Sequence, residues 1–102
     1  MESIAELEGG GGKDRTLVSE AIFSERAWED YLYWQAHDRK LLERVNGLIK
    51  ECASTPFQGT GKPEPLRGKL SGWWSRRITQ EHRLVYKPTE DGLWVAQCRY
   101  HY

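Results

Sequence analysis

Between Asp38 and Thr55 the apolar residues Leu41, Leu42, Val45, Leu48, Ile49 and Cys52 recur at steps of three and four. That spacing places all six on one stripe of an α-helix, which has to be buried against a second layer. Asp38 can cap the start of this helix, and Thr55-Pro56 ends it, because the residue before a proline disfavours helical geometry. Upstream, Ser24 is a suitable cap for another helix through "ERAWEDYLYWQA", preceded by the short apolar patch "AIF" at 21–23. Downstream come three strand-like runs, "WWSRRIT" (73–79), "HRLVYKP" (82–88) and "LWVAQCRYHY" (93–102). Their links "QE" and "TEDG" are short enough for antiparallel neighbours. The order is therefore β-α-α-β-β-β, an α+β fold with two helices on a small antiparallel sheet. Residues 56–72, with four glycines and three prolines, read as a long loop of the kind that often carries function.

The chain has 102 residues, enough for one domain with a modest core. No apolar run approaches the roughly 20 residues of a membrane span, and the N-terminus lacks a basic-then-apolar signal pattern. Cys52 and Cys98 stand far apart with no CxxC and no Cys/His cluster, which argues against a disulfide or zinc framework and for a cytoplasmic address. Five tryptophans and five tyrosines exceed what such a core needs, so some are expected at the surface. The net charge is zero but uneven. Residues 1–20 hold five acids against Lys13 and Arg15, leaving ten acids and thirteen bases in 21–102. With Gly9–Gly12 as a break, residues 1–19 read as a flexible acidic leader and 20–102 as the domain. Residues 62–83 concentrate six bases against two acids, which suits a polyanion or, equally, a solvated sheet face.

No nucleotide-binding glycine motif, zinc signature or serine-hydrolase elbow is present. What remains is Glu64 in the Pro-Gly loop, Arg83 in a strand run, and His101 with Tyr102 at the end of the sequence. Such residues suit RNA cleavage without a metal. A carboxylate can take the 2′-hydroxyl proton, an imidazolium can protonate the departing 5′-oxygen, and a guanidinium can offset charge at phosphorus. The sequence does not bring them together in space. A regular strand running through residue 102 would even turn His101 and Tyr102 to opposite sides, so a shared site requires the end to curl.

Three segments carry a resemblance: "DYLYWQ" (30–35), "TPFQGTGKPEPLRGKLSGWWSRRITQEHRLVY" (55–86) and "CRYHY" (98–102). Together they resemble the YoeB toxins of the RelE superfamily of toxin–antitoxin messenger-RNA interferases, over about residues 20–102. The resemblance implies a ribosome-dependent endoribonuclease that cuts mRNA in the ribosomal A site. It also implies a RelE-like fold, homodimer formation, a YefM-type antitoxin partner, and no metal or cofactor. Carried over by motif, Glu64 in "KPEPL" matches the general base, Arg83 in "EHRLVY" the phosphate-stabilising arginine, His101 the general acid and Tyr102 an orienting residue. Lys62, Arg67, Lys69, Arg76 and Arg77 are then expected to meet RNA phosphates. Arg67 stands where many relatives have lysine, keeping the charge and adding planar geometry. His37 and His82 are expected to be structural or surface residues, Trp28 and Trp34 to pack in the core or a dimer, and Trp73 and Trp74 to pack or line the RNA surface. The other function in view is a non-catalytic ParE-like inhibitor of DNA gyrase, which would not need Glu64, Arg83 and His101 together. The leader "SIAELEGGGGKDRTLVSE" resembles the C-terminal region of YefM-type antitoxins and is expected to be a fused remnant, a mis-assigned start or a cloning scar.

Overall fold

The structure, a computed structural model, describes residues 20–102. The expectations for the leader at 1–19 lie outside the described residues. Strand β1 (Ala21–Phe23) is followed by helices α1 (Glu25–His37) and α2 (Arg39–Ser54), then strands β2 (Glu64–Pro65), β3 (Trp74–Arg77), β4 (Arg83–Thr89) and β5 (Gly92–Gln97). Both expected caps form. Ser24 Oγ accepts from the Ala27 N–H at 3.0 Å and donates to the Ala96 carbonyl at 2.9 Å, tying the start of α1 to the sheet. Asp38 serves two helices at once. Its N–H closes α1 on the Trp34 carbonyl at 2.8 Å, and its carboxylate accepts from Leu41 N–H at 3.1 Å to open α2.

The apolar stripe of α2 behaves as its spacing requires. Leu42, Val45, Leu48 and Cys52 are buried, and Leu41 and Ile49 pack at the margin. They meet Ala27 and Trp34 of α1 and a sheet face made by Ile78, Leu84, Tyr86, Leu93, Val95 and Cys98. Burial pushes the Cys52 thiol up to about 11 and the Cys98 thiol up to about 12. Neither thiol should therefore be alkylated by iodoacetamide in the folded protein at pH 8, and both should react once it is unfolded; mass spectrometry reads the difference.

The sheet runs β1-β5-β4-β3-β2. The α+β class is as expected, with two corrections to its detail. Only β2, β3, β4 and β5 pair antiparallel; β1 lies parallel to β5, with Ala21 opposite Leu93. No hairpin joins β1 to β5, since both helices and three strands intervene, so nothing forces opposite directions. The Pro-Gly loop is also more ordered than expected, containing β2 and a 3₁₀ turn at Gly68–Leu70. Gly61 presses it onto β3. Its φ is +85°, its carbonyl accepts from Arg77 N–H at 2.7 Å, and a Cβ there would sit 2.9 Å from the Arg77 oxygen.

Arg76, expected at an RNA phosphate, is instead fully buried on the helix side of β3. Nε donates to Tyr86 Oη at 3.1 Å, Nη1 to Glu51 Oε2 at 2.8 Å and to the Thr60 carbonyl at 3.2 Å. Nη2 donates to the Gln58 carbonyl at 2.8 Å and to that of Thr55. All five guanidinium hydrogens are thus engaged, and the residue clamps the start of the loop against α2.

Candidate active site

The register decides which side chains share a face. Glu64 lies opposite Ser75, Ser75 opposite Val85, and Val85 opposite Gln97. Arg77 lies opposite Arg83, two residues along from Ser75 and Val85. Side chains alternate along a strand, so Glu64, Arg77, Arg83 and Gln97 all belong to one face. It is the face away from the helices, because Arg76, Leu84 and Tyr86, on the alternate positions, pack toward α2 and the core. With strands about 4.8 Å apart, Glu64 and Gln97 bracket a field roughly 14 Å wide, with Arg83 and Arg77 on the strands between.

Gln97 reaches that face through an irregularity. Val95 pairs with Tyr86 on the helix side, and regular alternation would send Gln97 there too. One extra residue, Ala96, sits between the two pairings, a β-bulge that re-aims Gln97. Its carboxamide Nε2 then approaches the carbonyls of Arg99 at 3.2 Å, Tyr100 at 3.3 Å and His101 at 3.5 Å.

The last five residues consequently do not continue β5, contrary to the expectation of a strand through 102. Cys98 N–H donates to Asp30 Oδ2 at 3.1 Å, and its carbonyl accepts from Trp34 Nε1 at 2.8 Å, both partners on α1. The Arg99 guanidinium stacks on Tyr33, 3.4 Å from the ring centroid, and on Tyr100 at 4.5 Å. Tyr100 has φ +66°, a left-handed conformation unusual outside glycine, and this turns the chain. The end therefore curls, as a site shared by His101 and Tyr102 requires. Both are exposed, their rings stacked with centroids 4.7 Å apart.

Arg83 is anchored by one nitrogen. Nη1 lies 2.8 Å from the Thr79 carbonyl, 3.0 Å from Gln80 and 3.1 Å from His82. Nε and Nη2 have no hydrogen-bond partner among the described residues, which leaves the parallel N–H pair suited to two phosphate oxygens. Glu64 is exposed and has no ion pair among the described residues. Lys62, Arg67, Lys69 and Arg77 are exposed as well, Lys62 with a left-handed φ of +53°. The structure thus gathers Glu64, Arg77 and Arg83 on one face, fastens the tail bearing His101 and Tyr102 to Gln97 on that face, and removes Arg76 from the set. Gln97 escaped the sequence reading, its only sign a polar residue closing an otherwise apolar strand, and His82 was named there only as a structural or surface residue.

A family model described as "YoeB-like toxin of bacterial type II toxin-antitoxin system" matches residues 23–102. The chain is 60% identical over 81 residues to Toxin YoeB of Escherichia coli K12, covering 79% of this chain and 96% of that one. Among solved structures, the YoeB/ParE toxin from Agrobacterium tumefaciens is 48% identical with a TM-score of 0.79, over 82% of this chain and all of that one. YoeB in the Staphylococcus aureus YoeB-YefM complex is 42% identical with a TM-score of 0.76, over 81% and 97% of the two chains. The S. aureus toxin is also known as a dimer, 43% identical to this chain with a TM-score of 0.75, over 80% and 95%.

Proposed function

The chain belongs to the YoeB toxins of bacterial type II toxin–antitoxin systems, and from that premise we propose that it is a ribosome-dependent endoribonuclease cutting mRNA in the A site. The observation that carries this reading is the shared face, with Glu64 on β2, Arg83 on β4 two residues along, and Gln97 on β5 within 3.5 Å of the His101 carbonyl. Glu64 takes the proton of a ribose 2′-hydroxyl, whose oxygen attacks the adjacent phosphorus. His101 gives its proton to the 5′-oxygen as that bond breaks, leaving a 2′,3′-cyclic phosphate and a 5′-hydroxyl end. The free Nε and Nη2 edge of Arg83 bears on the phosphate oxygens as charge builds there. Tyr102, stacked on His101, orients substrate, and Lys62, Arg67, Lys69 and Arg77 hold the backbones of messenger or ribosomal RNA. A YefM-type antitoxin and a second copy of the chain are its protein partners, as in the S. aureus assemblies.

In vitro translation with mapping of mRNA 5′ ends tests this reading. Cuts inside the A-site codon, absent without ribosomes, are expected. Intact mRNA together with stalled DNA gyrase would overturn it in favour of the ParE-like activity.

Arg83→Lys keeps the charge but loses the two-pronged geometry. Cleavage should fall by about 10- to 100-fold, on the order of the one to three kcal/mol of a charged hydrogen bond. Ribosome affinity, spread over many cations, should barely change. Quantitative ribosome pelleting beside the cleavage assay separates the two. Collapsed affinity with a normal rate per bound complex would make Arg83 a docking residue.

A further inference from the structure

We infer that His82 is a positioning residue for His101. Its Nδ1 accepts the Tyr100 N–H at 2.7 Å, across 18 residues of sequence. A backbone N–H can only donate, so Nδ1 carries no proton and the ring hydrogen sits on Nε2, 3.6 Å from Glu81 Oε1. The ring is held edge-on to Trp34 with centroids 4.8 Å apart, and its side chain is largely buried.

The peptide on the other side of Tyr100 is gripped as well. Arg83 N–H donates to the Tyr100 carbonyl at 3.0 Å. Tyr100 is thus fixed through both its N–H and its C=O, by adjacent residues at the start of β4. That grip holds a tyrosine at φ +66°, where non-glycine residues rarely stay unless their surroundings over-determine them. The left-handed turn bends the chain so that the His101 carbonyl comes within 3.5 Å of Gln97 Nε2. Gln97 Nε2 approaches the carbonyls of Arg99, Tyr100 and His101, and as a donor it cannot take the Tyr100 N–H. The tail's N–H at the turning residue has His82 as its acceptor, so loss of Nδ1 frees the turn. One backbone strand, Arg83 with its neighbour, thereby fixes both the phosphate-facing guanidinium and the direction of the acid.

The kinetic arm of this inference rests on the proposed nuclease reading, whereas its structural arm does not. Two replacements separate packing from positioning. His82→Phe keeps a ring against Trp34 but has no acceptor. His82→Asn loses the ring yet places an oxygen where Nδ1 stood. In the ¹⁵N-labelled protein the Tyr100 amide proton should resonate downfield and exchange slowly. In His82→Phe it should move upfield and exchange at least about tenfold faster, and in His82→Asn it should stay near its native position. On programmed ribosomes, kcat of His82→Phe should fall by about 10- to 100-fold with KM little changed, the size expected when a reacting group is displaced by about 1 Å. His82→Asn should recover most of that rate. If His82→Phe does not fold, His82→Gln, whose oxygen lies one bond further out, is expected to show the same losses. A native Tyr100 amide in His82→Phe, or a native kcat once that amide is released, overturns the inference. Absence of any cleavage by the wild-type protein would count against the nuclease reading, and the amide measurement would still decide the anchor.

Discussion

Glu64→Gln and His101→Gln are each expected to slow mRNA cleavage by about 10²–10⁴, the usual loss when one general base or acid is removed. Glu64 stands exposed on an edge strand with no ion pair among the described residues, and His101 is exposed beyond the last strand. Neither change removes core packing, so melting temperature and ribosome binding should stay close to wild type. The double variant should be little slower than the worse single one, because base and acid act on the same displacement and their effects do not add. Single-turnover cleavage on ribosomes programmed with a defined A-site codon measures all three. Full cleavage by both single variants would remove the acid–base mechanism.

The largest effect on stability should come from Arg76→Met. Methionine fills the space but offers no donors, so Glu51, the Tyr86 hydroxyl and the carbonyls of Thr55, Gln58 and Thr60 all lose a partner. Breaking a buried charge network from one side costs about 3–5 kcal/mol. That is a large share of the roughly 5–15 kcal/mol holding a small domain together. For a domain of this size it corresponds to a melting temperature lower by about 15–30 °C. Glu51 is held below the usual carboxylate range, first by the Thr60 N–H and in smaller part by Arg76. Its contribution is therefore complete above the ordinary glutamate pKa and is lost as pH falls through the lower, folded value. Acid should loosen the same clamp from the other side, and Glu51→Gln should flatten that limb of the stability–pH curve. Thermal melts from pH 3 to 7 on the three proteins show it. A native melting temperature for Arg76→Met would return Arg76 to the surface set.

How far the sequence could be read follows from which signals are local. Helix α2 was legible because its stripe, its Asp38 cap and its Thr55-Pro56 stop are all short-range. All strands but β2, which reads as loop, could be found, but not where they end. "LWVAQCRYHY" reads as one apolar and aromatic run, and nothing in it announces that Ala96 bulges and Tyr100 turns left-handed. Those events depend on Asp30, Trp34, His82 and Arg83, which are remote in sequence. Arg76 failed for a related reason. In "WWSRRIT" two adjacent arginines carry the same local signal, yet strand alternation sends Arg77 outward and Arg76 inward, where Glu51 and Tyr86 accept it. Glu64, Arg83, His101 and Tyr102 were visible through their motifs. The common face of Glu64 and Arg83 became visible only through the register, and the curl of the tail only through its contacts with Gln97.

If the mechanism holds, the curled tail of His101 and Tyr102 works together with Glu64 and Arg83 on the face away from the helices. Deleting His101 and Tyr102 tests it, with single-turnover mRNA cleavage on programmed ribosomes as the measurement. The anchors on Cys98, Arg99 and Tyr100 all precede the cut, so the shortened protein should melt within about 4 °C of wild type, a loss of under ~1 kcal/mol. It should bind ribosomes normally and cleave at least about 10²-fold more slowly, as expected for a missing general acid. A shortened protein that folds, binds and still cuts mRNA at the wild-type rate would contradict the account.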